Sequence, residues 1–412
     1  GFDIVIGNPP YIQLQNNSGK LAKLYENQNY KAFAKTGDIY CLFYERGFNL
    51  LKDNAHLCFI TSNKWMRAGY GEKLRDFFAK NANPKELIDF AGVKVFESAT
   101  VDTNILLFQK AQNQKQTLAC VTKNMKYDDL GNLSHFIQQN SSVCAFEGPA
   151  SWVILSPIEQ SIKRKIESAG VPLKDWDISI NYGIKTGYND AFIISGAKRA
   201  EILAECKTEE ERRKTDELIR PVLRGRDIKR YGYEFADLWL INTHNGIKEK
   251  GIPRIDVEKD YPAVKKHLDG YWDKIEKRAD QGDTPYNLRN CAYLDDFFKP
   301  KIVWGNLNLR AAYAVAPEGM FVNAPCPMIV PADEYLLRIL NSKLADYYIR
   351  SLGVTRNGGY FEYKPMFIEK LPVPPKKGKS PFSEKDNESQ IDQRVYELYG
   401  LSKEEIDFIE RQ

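Results

Sequence analysis

The sharpest chemical signal in the sequence is the tetrapeptide Asn8-Pro9-Pro10-Tyr11, which directly follows an apolar run. An exocyclic amino group is a poor nucleophile because its lone pair is delocalised into the attached ring. Two hydrogen-bond acceptors aimed at its N–H bonds would pull the nitrogen toward tetrahedral geometry. The Asn8 side-chain oxygen and the Pro9 carbonyl can supply both acceptors, because consecutive prolines fix the backbone. The pattern predicts group transfer to an amino group on an aromatic ring, with Tyr11 stacked on that ring.

A plainer interpretation of the same tetrapeptide is a Pro-Pro turn that ends a strand and has no chemical role. The context argues against it, because the full run is Asp3-Ile4-Val5-Ile6-Gly7-Asn8-Pro9-Pro10-Tyr11. This run resembles the fourth motif of the amino-methyltransferase family, D-x-x-x-x-N-P-P-Y. The resemblance implies transfer of a methyl group to the N6 amino group of a DNA adenine.

The resemblance continues in family order through three further blocks, which span 38–47, 56–65 and 95–108. The first is similar to the helix that follows the motif in that family, and the second to the next strand and its turn. The third resembles a hairpin whose phenylalanine stacks on the target base. It implies that Phe96 and Tyr11 sandwich a flipped adenine, whereas the alternative makes Phe96 a core aromatic.

The glycine-rich turn that holds the methyl donor in this family precedes the Asn8 motif, and nothing comparable is found in this sequence. The glycines from Gly353 to Gly359 stand in the wrong context. We therefore expect that S-adenosylmethionine serves the parent protein and does not bind this chain alone, which should not methylate DNA by itself. A strand at the very start predicts a chain cut from a longer protein, with a missing N-terminal methyltransferase segment. We expect that strand to be an apolar edge that self-associates or is capped by another segment.

The second half resembles the C-terminal specificity domain of TaqI-like methyltransferases and of combined restriction-modification enzymes. Four blocks carry the resemblance, and they span 183–192, 220–228, 340–344 and 358–374. The resemblance implies sequence-specific binding of double-stranded DNA.

Polar and basic residues within or beside these blocks are the candidate DNA contacts. Side chains that flank glycines can donate to phosphates, and an arginine can fork onto a guanine edge. The candidates are Lys185, Thr186, Asn189, Arg224, Arg226, Arg356, Asn357 and Lys364. For Arg224 and Arg226 an internal ion-pair turn with Asp227 is the competing interpretation.

Composition fits a soluble cytoplasmic protein, and its charge permits a polyanionic partner without requiring one. The net charge of the 412 residues is +4, and 12% of them are aromatic. No apolar run is long enough to cross a membrane. The seven cysteines are scattered and form no C-x-x-C pair, and the four histidines lie far apart, so we expect no metal site.

The pattern of strands and helices predicts an α/β protein, in which the C-terminal half of a Rossmann-like methyltransferase sheet precedes a mixed α+β target-recognition domain. Single helices are expected over 261–278 and 334–350. The predicted boundaries are 1–112 for the partial methyltransferase domain, 113–154 for a linker, 155–375 for the recognition domain and 376–412 for a helical tail.

The main hypothesis is a fragment of an adenine-N6 methyltransferase from a type II restriction-modification system. An alternative is a non-enzymatic DNA-specificity subunit that acts with a separate catalytic chain. An RNA or protein-glutamine methyltransferase shares the Asn8 motif but is disfavoured by the large second domain. Whether a nuclease domain belongs to the parent protein is left open by the sequence.

Overall fold

The apolar run after Gly1 forms a strand, as its β-branched residues favour. In the computed structural model, which describes residues 1–91, 93, 95–96, 102–122, 131–353, 356–376 and 378–412, the chain divides into unit 1 (Gly1–Ser161) and unit 2 (Ile162–Gln412). The strands of unit 1 are β1 (Phe2–Gly7), β2 (Leu51–Ser62), β3 (Asn83–Asp89), β4 (Thr103–Gln109), β5 (Thr117–Val121) and β6 (Ser142–Cys144). Its helices are α1 (Asn16–Tyr25), α2 (Tyr40–Leu50), α3 (Glu72–Asn81) and α4 (Leu133–Asn140), and α5 (Pro157–Ala169) spans the boundary.

The strands of unit 1 form a six-stranded sheet in the order β1-β2-β4-β3-β5-β6. Strand β1 pairs in parallel with β2, and β3 pairs in parallel with β5. Strand β4 lies antiparallel between β2 and β3. The carboxyl ends of β1, β2, β3 and β5 therefore meet at one edge of the sheet, which is where ligands bind in open α/β sheets.

The described residues of the segment 113–154, predicted to be a linker, instead contribute to this sheet and its core. It supplies β5 and β6, and its Phe146 and Trp152 rings stack at 4.5 Å. Trp152 also lies 5.3 Å from Trp65 and is 1% exposed. Clusters of glutamine and asparagine suggested a linker, but Cys144, Phe146 and Trp152 are buried in the core.

Strand β1 lies at the edge of the sheet, and within the described residues it pairs only with β2. Its side chains alternate between the two faces, so Phe2, Ile4 and Ile6 share one face and are 58%, 70% and 79% exposed. The expected apolar edge is therefore present in the structure. Self-association through it remains a prediction.

Unit 2 contains short strands and helices. The strands are β7 (Val171–Pro172), β8 (Ser179–Tyr182), β9 (Ile193–Ser195), β10 (Ile219–Leu223), β11 (Ile228–Lys229), β12 (Gly232–Tyr233), β13 (Leu238–Ile241), β14 (Lys301–Trp304), β15 (Leu307–Asn308), β16 (Tyr313–Ala316), β17 (Phe321–Val322), β18 (Pro327–Val330), β19 (Phe361–Glu362) and β20 (Pro372–Val373). The helices are α6 (Asn189–Phe192), α7 (Gly196–Glu205), α8 (Glu209–Leu218), α9 (Val257–Asp260), α10 (Pro262–Asp269), α11 (Trp272–Ile275), α12 (Glu334–Leu340), α13 (Lys343–Ser351), α14 (Pro365–Ile368), α15 (Glu388–Leu398) and α16 (Lys403–Glu410).

Two four-stranded sheets, β17-β10-β13-β9 and β16-β14-β18-β8, build the centre of unit 2. The fold is thus mixed α/β with several sheets. None of the described helices is both long and apolar enough to cross a membrane.

Each of the two long helices predicted in unit 2 is broken in the structure. The first separates into α10 and α11 around Gly270, and the second into α12 and α13. In the second case the Asn341 side chain bonds both backbone groups of Tyr313, while Ser342 caps α13 by accepting from the Ala345 N–H. Apolar periodicity continues across both breaks, so the pattern alone does not reveal them.

The end of the chain folds as α15 and α16 within unit 2. Ser402 caps α16, and the Glu405 carboxylate accepts from the Ser402 N–H at 2.6 Å, which forms a capping box. Glu405 also pairs with Lys165 at 2.7 Å.

A buried lysine makes the stability of unit 2 depend on pH. Lys301 is 0% exposed, its ammonium donates to the Pro317 carbonyl at 2.9 Å, and burial lowers its pKa to about 8 from the ordinary 10.5. Above pH 8 the unfolded chain therefore binds more protons at this group than the folded chain. We expect this group to raise the free energy of unfolding by up to about 2 kcal/mol between pH 8 and 9.5.

Urea unfolding of the wild type and of Lys301→Met at several pH values measures this effect. The difference in unfolding free energy between the two proteins should shift with pH in favour of the wild type. A difference that stays constant over this interval would show that Lys301 does not titrate there.

Candidate functional site

The Asn8-Pro9-Pro10-Tyr11 turn follows β1 directly, at the carboxyl edge of the unit 1 sheet. Pro9 is buried, whereas Asn8 and Pro10 are exposed. The Asn8 side chain makes no hydrogen bond to any described residue. The turn is therefore not part of a packed interior, and the Asn8 amide is available to a ligand.

The Tyr11 ring is held in a half-buried position beside this turn. It meets Tyr40 edge-on at 6.0 Å, and the Asp38 carboxylate fixes the next residue by accepting from the Ile12 N–H at 2.8 Å. Burial, and then the charge of Asp38, raises the pKa of Tyr11. The Tyr11 hydroxyl is buried without a hydrogen-bond partner. The ring is thus positioned by packing rather than by its hydroxyl.

A cavity of about 300 Å³, here called the Tyr11 cavity, opens beside the ring. Its described lining residues are Tyr11, Gln13, Asn16, Thr36, Gly37, Asp38, Ser62, Lys64 and Tyr70. Asp38 and Lys64 fall within blocks that carry the methyltransferase resemblance, but sequence reasoning gave them no role. Burial raises the pKa of Asp38.

Phe96 is half-buried and is not among the described residues that line the Tyr11 cavity. Residues 97–101 of the predicted hairpin lie outside the described residues. The pairing of Phe96 with Tyr11 around a base therefore remains a prediction.

In unit 2 the block around Lys185 lines a second cavity, of about 520 Å³, here called the Asn323 cavity. Its described lining residues are Lys185, Thr186, Gly187, Tyr188, Asn189, Asp190, Asp280, Asn323, Ala324 and Pro325. Lys185 and Asn189 are exposed, as expected of contact residues.

Thr186 differs from the expectation that it donates to a phosphate. It is 2% exposed, and its hydroxyl donates to the Asn189 Oδ1 at 2.6 Å. Gly187 adopts a φ of +70°, and a Cβ there would lie 2.9 Å from the Arg278 Cδ and from the Asp280 carbonyl oxygen. Thr186 therefore shapes the loop, and Gly187 permits its close approach to Asp280.

Arg224 forms the internal ion pair that competed with its predicted role in guanine recognition. Its guanidinium donates to both Asp227 carboxylate oxygens, at 3.0 and 2.8 Å. Burial acts to raise the pKa of Asp227, but the hydrogen bonds from Arg224 outweigh it and hold the pKa below its ordinary value. Arg226 is exposed, with no ion pair among the described residues. Within this turn, Arg226 is the better candidate for a DNA contact.

Arg356 and Lys364 meet at one carboxylate, that of Glu362. Both cations lie 2.6 Å from its oxygens, and the hydrogen bond from Lys364 lowers the pKa of Glu362. Exposed ion pairs of this kind contribute little stability, so both cations can exchange Glu362 for a phosphate at small cost. The side chain of Asn357 lies outside the described part of the chain.

The Lys185 and Arg224 blocks flank one segment, Phe321–Cys326, which sequence analysis did not single out. Strand β17 pairs in parallel with β10, and the Asn323 N–H donates to the Leu223 carbonyl at 2.9 Å. On the other side, the Ile184 N–H donates to Val322 at 2.8 Å. The two predicted DNA-facing blocks are therefore neighbours in space.

Comparison with known proteins assigns the two parts of the chain. Residues 1–96 match the model of the Eco57I restriction-modification methylase, and residues 220–373 match that of the TaqI-like C-terminal specificity domain. The chain combines an Eco57I-type methylase segment with a TaqI-like specificity domain. The methylase segment contains the Asn8 turn, the Tyr11 cavity residues and Phe96. The specificity domain contains Arg226, Asn323 and Lys364, whereas the Lys185 block precedes its matched range.

Curated relatives that align over nearly the whole chain are type II methyltransferases. M.BstVI of Geobacillus stearothermophilus is 22% identical over 99% of this chain and 75% of its own length. M.PaeR7I of Pseudomonas aeruginosa is 21% identical over 98% of this chain and 71% of its own.

Among solved structures, the Type IIL restriction-modification enzyme MmeI in complex with DNA aligns with a TM-score of 0.52 and 12% identity. The alignment covers 99% of this chain and 56% of that enzyme's chain. At this identity the likeness concerns the fold alone. The described residues contain no cluster of three or more His, Cys, Asp or Glu side chains that could hold a metal ion.

Proposed function

We propose that this chain is the target-recognition part of a type II restriction-modification DNA adenine-N6 methyltransferase. Unit 1 holds an everted adenine, and unit 2 reads duplex DNA. The observation that carries the proposal is the exposed, unpaired Asn8 amide, three residues before the Tyr11 ring that lines the Tyr11 cavity, in a chain with a TaqI-like specificity domain. Asn8, Pro9 and Pro10 are not themselves among the described residues that line this cavity.

The sheet of unit 1 supports this assignment. Its order β1-β2-β4-β3, with β4 antiparallel between parallel neighbours, fits the C-terminal half of a Rossmann-like methyltransferase sheet. The Asn8 turn then occupies the carboxyl end of a strand, the usual ligand position in such sheets.

The chemistry assigned to this chain is binding and orientation of the amino group. The Asn8 oxygen and the Pro9 carbonyl accept hydrogen bonds from its two N–H groups, and Tyr11 stacks on the base. The Tyr11 cavity, at about 300 Å³, lies at the lower end of the size range of small-ligand pockets, about 300–1,000 Å³, as a single base requires.

The methyltransferase relatives imply S-adenosylmethionine as the donor, which would supply the methyl group. The described residues of unit 1 do not fit that donor, because no G-x-G-x-x-G turn joins a strand to a helix there. After β1 the chain continues into two prolines instead. We therefore assign no donor-binding residue in this chain and derive no step through the donor.

Selection from a random duplex library, at two salt concentrations and followed by sequencing, tests the proposed function. We expect one short sequence motif to be enriched, with total binding that falls steeply as salt rises. Structured RNA added as a competitor should displace little of the bound DNA. A flat sequence profile, or preferential binding of the RNA, would reject the proposal.

A further inference from the structure

The Asn323 cavity is lined by an asparagine whose side-chain amide is available to a ligand. Asn323 is 8% exposed, and its side chain makes no hydrogen bond to any described residue. Its backbone is fixed from two sides, by the Leu223 carbonyl and by a bridge to Ile184. The Asn323 amide atoms are not among the fully buried unpaired polar atoms of the described residues, so they face the cavity, where a ligand can pair with them.

The charges around this cavity disfavour a phosphate ligand. Lys185 is the only cation among the described lining residues, and it is accompanied by the carboxylates Asp190 and Asp280. Asp280 pairs with Arg289 at 2.9 Å outside the lining, which leaves Asp190 to balance Lys185. Carboxylates repel a phosphate but accept hydrogen bonds from the amino group of a base.

The side-chain amides of Asn189 and Asn323 lie beside these charges, and the free groups of Asn323 match the major-groove edge of adenine. The Asn189 oxygen already accepts from Thr186, whereas Asn323 keeps both its carbonyl oxygen and its NH₂ group. An asparagine with both groups free pairs with the N6 and N7 positions of adenine in the major groove.

We propose that Asn323 is a specificity-determining residue that reads the major-groove edge of one adenine in the recognition sequence. This inference rests on the proposed function. It replaces the phosphate contact predicted for the Lys185 block with recognition of a base, because Asn323 is held between that block and the Arg224 turn.

The library selection, repeated with Asn323→Ala, tests the proposal. We expect about a 10-fold loss of discrimination at one adenine position, with the other positions and the salt dependence unchanged. Asn242→Ala is the matched control, since Asn242 is also buried in unit 2, has an unpaired carbonyl oxygen, and does not line the cavity. That variant should keep the full motif.

Asn323→Asp provides a second test that preserves the size of the side chain. A carboxylate accepts from the cytosine N4 amino group, so preference at the affected position should shift from adenine toward cytosine. Thermal unfolding of each variant verifies that it is folded. If Asn323→Ala does not fold, the base preference of Asn323→Asp tests the proposal.

The outcomes separate this inference from the proposed function. No motif with the wild type rejects the proposed function itself. A wild-type motif that both Asn323 variants retain at every position overturns the inference alone. Uniformly weaker binding with no change in preference at any position would make Asn323 a phosphate contact and would also overturn it.

Discussion

Tyr11→Ala should weaken binding to a duplex with an unpaired adenine by about 10- to 100-fold, because stacking on an aromatic ring contributes about 1–3 kcal/mol per base. The duplex would carry the selected motif, with an abasic site opposite the target adenine so that eversion costs little. Fluorescence anisotropy measures the dissociation constants. The same variant should bind a fully paired duplex with a smaller loss, since specificity-domain contacts dominate there.

Tyr11→Phe distinguishes stacking from a role of the hydroxyl. It keeps the ring and removes a buried hydroxyl that has no partner, so binding should be preserved and the free energy of unfolding should be equal or slightly higher. Tyr30→Ala is the matched control, because Tyr30 is also half-buried in unit 1 and meets Tyr25 edge-on at 6.2 Å, but does not line the Tyr11 cavity. Equal losses in Tyr11→Ala and Tyr30→Ala would contradict base stacking by Tyr11.

Local patterns in the sequence predicted the parts of the fold that depend on neighbouring residues. The strand before Asn8 and helix α2 are set by adjacent side chains, and each appears close to its predicted position. The Arg224 turn was left open between two interpretations, since arginine and aspartate at this spacing suit either an ion pair or a DNA contact. Only the structure shows that both Asp227 carboxylate oxygens accept hydrogen bonds from the Arg224 guanidinium.

Non-local pairing explains what the sequence did not reveal. The polar composition of 113–154 suggested a linker, but β5 pairs with β3 across the chain, and Trp152 reaches the core. Asn323 was missed for the same reason. Its importance arises from pairing with segments around Ile184 and Leu223 that are distant in sequence, and an asparagine among apolar residues gives no pattern of its own.

Arg278→Ala should lower the free energy of unfolding of unit 2 by about 3–5 kcal/mol, because four backbone carbonyls lose their donor and each buried unsatisfied group costs about 1–3 kcal/mol. Arg278 is 6% exposed, lies 4.5 Å over the Phe192 ring, and has no ion pair among the described residues. Burial lowers its pKa to about 10, so it remains charged at neutral pH. Its guanidinium instead donates to the backbone carbonyls of Ile275, Asp280, Pro285 and Asn287.

Loss of these bonds should also affect DNA recognition, because Arg278 holds Asp280 against Gly187 at the wall of the Asn323 cavity. Urea unfolding measures the stability, and the library selection, below the unfolding temperature, should show weaker discrimination.

Arg289→Ala is the control, since it removes an exposed partner of Asp280 and should cost at most about 1 kcal/mol. Arg278→Lys should recover little stability, because one ammonium has three donors and cannot span four carbonyls. If Arg278→Ala destabilised the protein no more than Arg289→Ala, the guanidinium would not organise this loop, and the rigidity assumed for the cavity wall would need another source.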